Sequence, residues 1–235
     1  MKVAFCLGGA PRFNHRGLFR MVNALKGIDQ IDFFIRTWQS EYGQTDAEFE
    51  TYLRANLPDY CDFKVTMVLP DSPEYYPPAK PPLNIASWSP NFLIMWWQMI
   101  QSYQFCKQYM ELTGEQYDLL FRMRTDTLPD QEIDISALAL DAKSHMIHGK
   151  NFNDTFFFGP PALYERAMGY WDYLDTLSAT QEFIHPEESL ERYYQLANIP
   201  YKQIQAQVGP AWDQGEYKGR QRGSAEDTWD INLPT

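Results

Sequence analysis

Val3-Ala4-Phe5-Cys6-Leu7-Gly8-Gly9-Ala10-Pro11-Arg12 sets the reading of the chain. Val3 to Leu7 is an unbroken apolar run, the pattern of a strand covered on both faces. The glycines, proline and arginine after it read as a loop. Leu18, Val22 and Leu25 then recur at helical spacing, with Gly27 placed to end the helix. Ile31, Phe33 and Ile35 alternate with Asp32, Phe34 and Arg36, which predicts a second strand. Thr45-Asp46-Ala47-Glu48 is a capping box that opens a helix carrying Phe49, Tyr52 and Leu53. Phe63, Val65 and Met67 alternate as a third strand. The order β-α-β-α-β predicts an α/β fold with parallel strands, right-handed crossovers and helices on both faces of the sheet. Ligands of such sheets bind beyond the carboxyl ends of the strands.

Composition narrows the function. The 235 residues fit one large domain at about 150 residues per domain, expected over 1–208 with 209–235 as an arm or tail. A formal net charge of −11 argues against a nucleic-acid partner and against docking on anionic lipid. Cys6, Cys61 and Cys106 are far apart and sit among apolar residues, which fits a reducing compartment rather than a disulfide or zinc framework. No apolar run approaches the roughly 20 residues of a membrane span, so the expected location is the cytoplasm. Gly8-Gly9 lacks the spaced third glycine of a dinucleotide fingerprint.

Further on, seven prolines fall between Pro70 and Pro90, with Tyr75, Tyr76 and Trp88 among them. Such a loop is either a stiff surface excursion or part of a site. Ser89-Pro90 starts a helix that runs to about Thr113 and stops at Gly114. Its apolar residues go nearly all the way round, so its aromatics read as core. Tyr117 to Arg124 is the next strand, with Asp118, Leu120, Arg122 and Arg124 on one face and Tyr117, Leu119, Phe121 and Met123 on the other. Two arginines in an apolar strand each need a carboxylate or a ligand anion. Asp118, Asp126 and Asp130 are candidate partners. Asp126, just past the strand, is also placed to hold Mg²⁺ or Mn²⁺ against a diphosphate. A short helix is expected near Ile135–Leu140, and a strand at His145–His148. Asn153 to Gly159 reads as an edge or antiparallel strand. One helix is expected from Pro160-Pro161 through Leu174, and another from His185-Pro186.

Three of these segments resemble a family of GT-A-fold glycosyltransferases found in bacteria, phages and large viruses. They are the opening strand and loop through Arg12, the segment Ile31-Asp32-Phe33-Phe34-Ile35-Arg36-Thr37-Trp38, and Tyr117-Asp118 through Arg122, Arg124 and Asp126. Asn153-Asp154 and Pro186-Glu187 also fit. The resemblance implies a GT-A-like (Rossmann-like) α/β fold, with a mixed, mostly parallel sheet flanked by helices on both faces, and a transferase moving a sugar from a nucleoside-diphosphate-sugar donor to a glycan or other acceptor. Gly8, Pro11 and Arg12 would contact the nucleotide or its phosphates, and Arg36, Thr37 and Trp38 would border base and ribose. Asp126 would take the place of the Asp-x-Asp metal motif, whose counterpart, Arg124-Thr125-Asp126, has a single carboxylate. Arg122 or Arg124 could instead offset part of the diphosphate charge. An inverting transfer needs a general base, for which Asp154 and Glu187 are the candidates. Each also has a structural reading, as a turn cap and as a first-turn helix charge. His185 is either a metal ligand or a structural residue. A non-catalytic glycan-binding or scaffold protein on the same fold is the alternative, suggested by the lone carboxylate and the 16% aromatic content. A sugar-phosphate nucleotidyltransferase is a weaker third reading.

Overall fold

The alternating segments do become strands of one sheet. The computed structural model describes residues 1–9, 16–40, 43–70, 72–78, 90–125, 127–150, 152, 154–180, 185–206 and 208–210. In chain order the elements are β1 (Lys2–Gly9), α1 (Arg16–Ala24), β2 (Leu25–Lys26), β3 (Gln30–Trp38), α2 (Asp46–Arg54) and β4 (Cys61–Leu69). A single 3-10 turn, Pro73–Tyr75, precedes α3 (Pro90–Thr113), β5 (Leu119–Met123), β6 (Thr127–Pro129), β7 (Ile133–Asp134) and α4 (Ile135–Ala142). Then come β8 (Met146–His148), β9 (Phe156–Gly159), α5 (Pro161–Met168), α6 (Tyr170–Thr180), α7 (Pro186–Leu196), β10 (Tyr201–Gln203) and β11 (Val208–Pro210).

Seven strands pair in the order β10-β8-β9-β5-β1-β3-β4. β5, β1, β3 and β4 run parallel, and β9 runs antiparallel to both β5 and β8. The sheet is therefore mixed and mostly parallel, as expected. Alternation sends Val3, Phe5, Leu7, Ile31, Phe33 and Ile35 to a core shared with α1 and α2. Ala4, Cys6, Phe34 and Leu120 face a second core with α3, α5, α6 and α7. On the first face, rings stack from strand to strand. Phe63, Phe33, Phe5, Phe121 and Phe158 lie 5.2, 5.4, 4.8 and 4.6 Å apart in succession. Such cross-strand aromatic pairs stabilise a sheet beyond their buried area.

The capping box forms as expected: Glu48 N donates to Thr45 Oγ1 at 3.3 Å, and Thr45 N donates to Glu48 Oε2 at 3.2 Å. Thr45→Ala should lower unfolding stability by about 1 kcal/mol. A urea midpoint unchanged from wild type would show that tertiary contacts, not the cap, start α2.

Several expectations need correction. Tyr117 packs with Leu120 rather than opposite it, because β5 begins only at Leu119. Its hydroxyl is held 2.7 Å from the fully buried Asp32 carboxylate. Gln30, Lys2 and Lys64 also reach Asp32, so this buried charge at the amino end of the sheet is well compensated. Asp118 lies at that same end and accepts from Lys2 N at 2.9 Å, so it does not serve the arginines. Of the two readings for β9, the antiparallel one holds, and the strand is interior rather than at an edge. The helix expected from Pro161 through Leu174 is two helices. Tyr193 donates its hydroxyl to Arg166 O at 2.6 Å and fills the space where a side chain at Gly169 would go. The last turn of α3 is exposed, with Leu112 at its surface. β11 pairs antiparallel with β6. No helix among the described residues is long and apolar enough to cross a membrane.

Candidate functional site

β1, β3 and β5 end together at Gly9, Trp38 and Met123. Since β9 is antiparallel, it starts at this same edge, Phe156 beside Met123. The edge therefore collects the segments after β1, β3 and β5 and the one before β9. Three groups of side chains stand there.

The first lies on the α1/α2 face. Leu7, Gly8, Gly9, Thr37, Phe49 and Thr125 contribute to the wall of a small, mostly apolar pocket. Thr37 Oγ1 donates to Gly9 O at 2.9 Å. Gly9 has φ +115, where a side chain is strained, and nothing lies within 4 Å of where its Cβ would be. A ligand can come close to the backbone here.

The second group lies on the opposite face, against α3. Neighbouring residues of a strand point to opposite faces, so Arg36 and Trp38 stand across the sheet from Thr37. Arg36 is buried and donates from Nη1 to Gln98 Oε1. Gln98 Nε2 donates in turn to Tyr75 O at 3.4 Å. Tyr76 meets Trp38 edge to face at 5.9 Å. Part of the proline-rich loop thus covers the end of β3; Trp88 lies outside the described residues. Arg36, Thr37 and Trp38, expected to act as one group, are divided by the sheet.

The third group is acidic. Asp154, just before β9, is buried, whereas Glu187 in the first turn of α7 is exposed. Local burial raises the Glu187 carboxyl pKa from its ordinary value, and the Asp154 charge raises it further. Both acids also raise the Tyr170 hydroxyl pKa, after the larger effect of burial. That hydroxyl is hydrogen-bonded to Ser189, one turn along α7. Two carboxylates 33 positions apart in sequence, named separately as candidate bases, are therefore electrostatic neighbours. His185 precedes α7, and its backbone N donates to Glu188 Oε2 at 3.3 Å.

Arg122 lies in β5 and Arg124 just past its end. Arg122 is fully buried and donates from Nη1 to Met123 O at 2.6 Å. Its charge is also felt by Cys6 and Tyr164. Arg124 is half-buried, and its backbone N donates to Thr155 O at 3.0 Å, tying the end of β5 to the Asp154 turn. Pro11, Arg12, Asp126 and Asn153 lie outside the described residues. Among the described residues no group of three or more His, Cys, Asp or Glu could hold a metal.

Neither a matching family model nor a matching curated protein was found for this chain. The site itself must carry the functional argument. Sequence reading missed Gln98 and Tyr170. The signal for Gln98 was a polar residue inside a helix that is apolar nearly all round. Tyr170 gave none, since its role depends on where α7 docks.

Proposed function

We propose that this chain is a glycosyltransferase moving a sugar from a nucleoside-diphosphate-sugar donor to a glycan or other acceptor, on a GT-A-like fold. The observation that carries the proposal is the electrostatic pairing of Asp154 with Glu187 at the carboxyl edge of a mostly parallel sheet, where the Arg124 backbone is tied to Thr155. Transfer needs three things there: a base for the acceptor hydroxyl, positive charge for the leaving diphosphate, and a place for the nucleotide. Glu187 takes the hydroxyl proton, since solvent and acceptor can reach it. The acceptor oxygen then bonds to the anomeric carbon as the bond from that carbon to the diphosphate oxygen breaks. The nucleoside diphosphate leaves with the electron pair. Arg124 faces the developing charge, and Arg122 adds to the positive field from within the fold. The Gly9–Thr37 pocket receives part of the nucleotide.

Asp126 is the proposed holder of Mn²⁺ or Mg²⁺. Hard cations take oxygen ligands, and a carboxylate just past a central strand would be one of them. When bound, the ion would neutralise part of the diphosphate charge. Among the described residues, many of the aromatics that suggested a glycan-binding protein are in the core, with Trp96, Tyr103, Tyr164, Tyr170 and Tyr194 all buried.

A thermal-shift panel of nucleoside diphosphates and their sugar conjugates, each with and without Mn²⁺, tests the reading. One nucleotide class should raise Tm with the logarithm of its concentration over Kd. Asp126→Ala should remove the Mn²⁺-dependent part of that rise. No shift with any of them would sink the proposal.

A further inference from the structure

We infer that Arg36 anchors an oxyanion subsite, for a phosphate or carboxylate group, on the α3 face of the sheet at the end of β3. The first observation is the side chain's burial. Arg36 is only 7% exposed, and guanidinium does not lose its proton in proteins. The second is its partners. Nη1 donates to Gln98 Oε1, a neutral amide on the fully buried face of α3. Gln98 is set in that orientation by its own bond to the Tyr75 carbonyl. No described carboxylate pairs with Arg36.

Among the described residues, the nearby acids are otherwise occupied. Glu74, on the turn above, is hydrogen-bonded to the Tyr75 hydroxyl. Asp32 faces the same side of β3 but lies four residues away, about 13 Å along a strand. There it is served by Tyr117, Gln30, Lys2 and Lys64. The two buried charges of β3 are thus treated differently. The acid at the amino end has cations around it, while the described hydrogen-bond partner of the arginine at the carboxyl end is a neutral amide. Burial accordingly pulls the guanidinium pKa down.

A buried charge without a counter-charge disfavours the folded state, and structural needs alone give no reason to keep one. A ligand oxyanion is a reason. The planar fork of arginine matches phosphate and carboxylate oxygens through paired N–H donors, of which Gln98 occupies one. Trp38 and Tyr76, edge to face above the strand end, give the anion an aromatic rim. Thr37 and its pocket lie on the other face of the sheet, so this subsite is separate from the one assigned to the nucleotide. It needs only an anion and does not depend on sugar transfer.

The test uses the full chain and three salts, phosphate, pyrophosphate and acetate, against chloride at matched ionic strength. Wild type should gain Tm with at least one oxyanion over chloride, with quenching or enhancement of Trp fluorescence that saturates at the same concentration. Arg36→Gln should be as stable as wild type or more so without ligand. It should also weaken oxyanion binding at least tenfold. Arg36→Lys, which keeps the charge but loses the fork, should fall between. A preference for phosphate or pyrophosphate assigns a phosphate-bearing ligand, and one for acetate a carboxylate. The inference is overturned if no oxyanion stabilises wild type beyond chloride, or if Arg36→Gln responds as wild type does. If Arg36→Gln fails to fold, Arg36→Lys decides, and a wild-type response in it overturns the inference. A wild type that binds phosphate through Arg36 but no nucleotide sugar leaves this subsite standing and removes the transferase reading.

Discussion

Glu187→Gln should lower the rate of sugar transfer about 10²- to 10⁴-fold, the usual worth of a positioned general base. Glutamine keeps the shape and the hydrogen-bonding reach but cannot take the acceptor proton. Glu187 is preferred over Asp154 as the base because it is exposed, so an acceptor hydroxyl can reach it. Asp154 is buried and acts through its charge. That division gives a pH signature. Although Glu187 is open to solvent, the protein packed around its carboxyl weakens the hydration of the charge, so it titrates above its ordinary value, and Asp154 raises it further. A base works only when ionised, so transfer should rise with pH through that raised value. Asp154→Asn removes the negative neighbour, and the acid limb of kcat should then move to lower pH while much of the plateau rate remains. The stability sign runs the other way. A carboxyl whose folded pKa is raised holds its proton more tightly folded than unfolded. The ionised group therefore disfavours the fold as pH rises through that window. Glu187→Gln should consequently keep or slightly raise Tm at neutral pH, so the lost rate cannot be put down to unfolding. Wild-type turnover in Glu187→Gln would remove it from the mechanism. Loss confined to Asp154→Asn would move the role of base to the buried acid.

What the sequence made legible was whatever a strand or helix carries in its own pattern. The two faces of β3 follow from alternation, and the start of α2 from one capping box. What stayed hidden depends on neighbours distant in sequence. Tyr117 leaves its expected face because β5 begins only at Leu119, and its hydroxyl then finds Asp32, 85 positions earlier. Gly169 interrupts a helical pattern because Tyr193 needs the space. Cys6 and Cys106 read as isolated thiols, yet they meet in the core between β1 and α3, where burial raises the Cys6 pKa well above its ordinary value. The same limit applies to the site. Its residues were found one at a time because they follow strands or start elements. Their grouping was not found, since it depends on the pleat and on docking. The pleat separates Arg36 from Thr37, and the docking of α7 unites Asp154 with Glu187.

Gly8→Ala should be the most destabilising single-atom change in the region, about 3 kcal/mol or more, at the upper end of what overpacking costs. In the sequence Gly8 reads as the start of a ligand loop. In the fold it is the point where β1 runs beneath the middle of α3. A Cβ there would collide with the backbone of Gln98 and Met99. A side chain could rotate away, but a helix backbone can only move as a body. α3 packs chiefly on β1, so its displacement would loosen the whole second core, including Met99 and Trp96. It would also carry Gln98 away from Arg36, so oxyanion binding should weaken along with stability. Gly9→Ala is the natural control. Its φ of +115 makes alanine strained, by about 1–2 kcal/mol, but the space beside it is open. Urea unfolding of the two variants should therefore rank Gly8→Ala well below Gly9→Ala, with Gly9→Ala folded and impaired mainly in nucleotide binding. A Gly8→Ala protein within about 0.5 kcal/mol of wild type, inside the ordinary surface range, would mean that α3 can ride up on β1 at little cost. The tight crossing would then not be what fixes Gln98 over the end of β3.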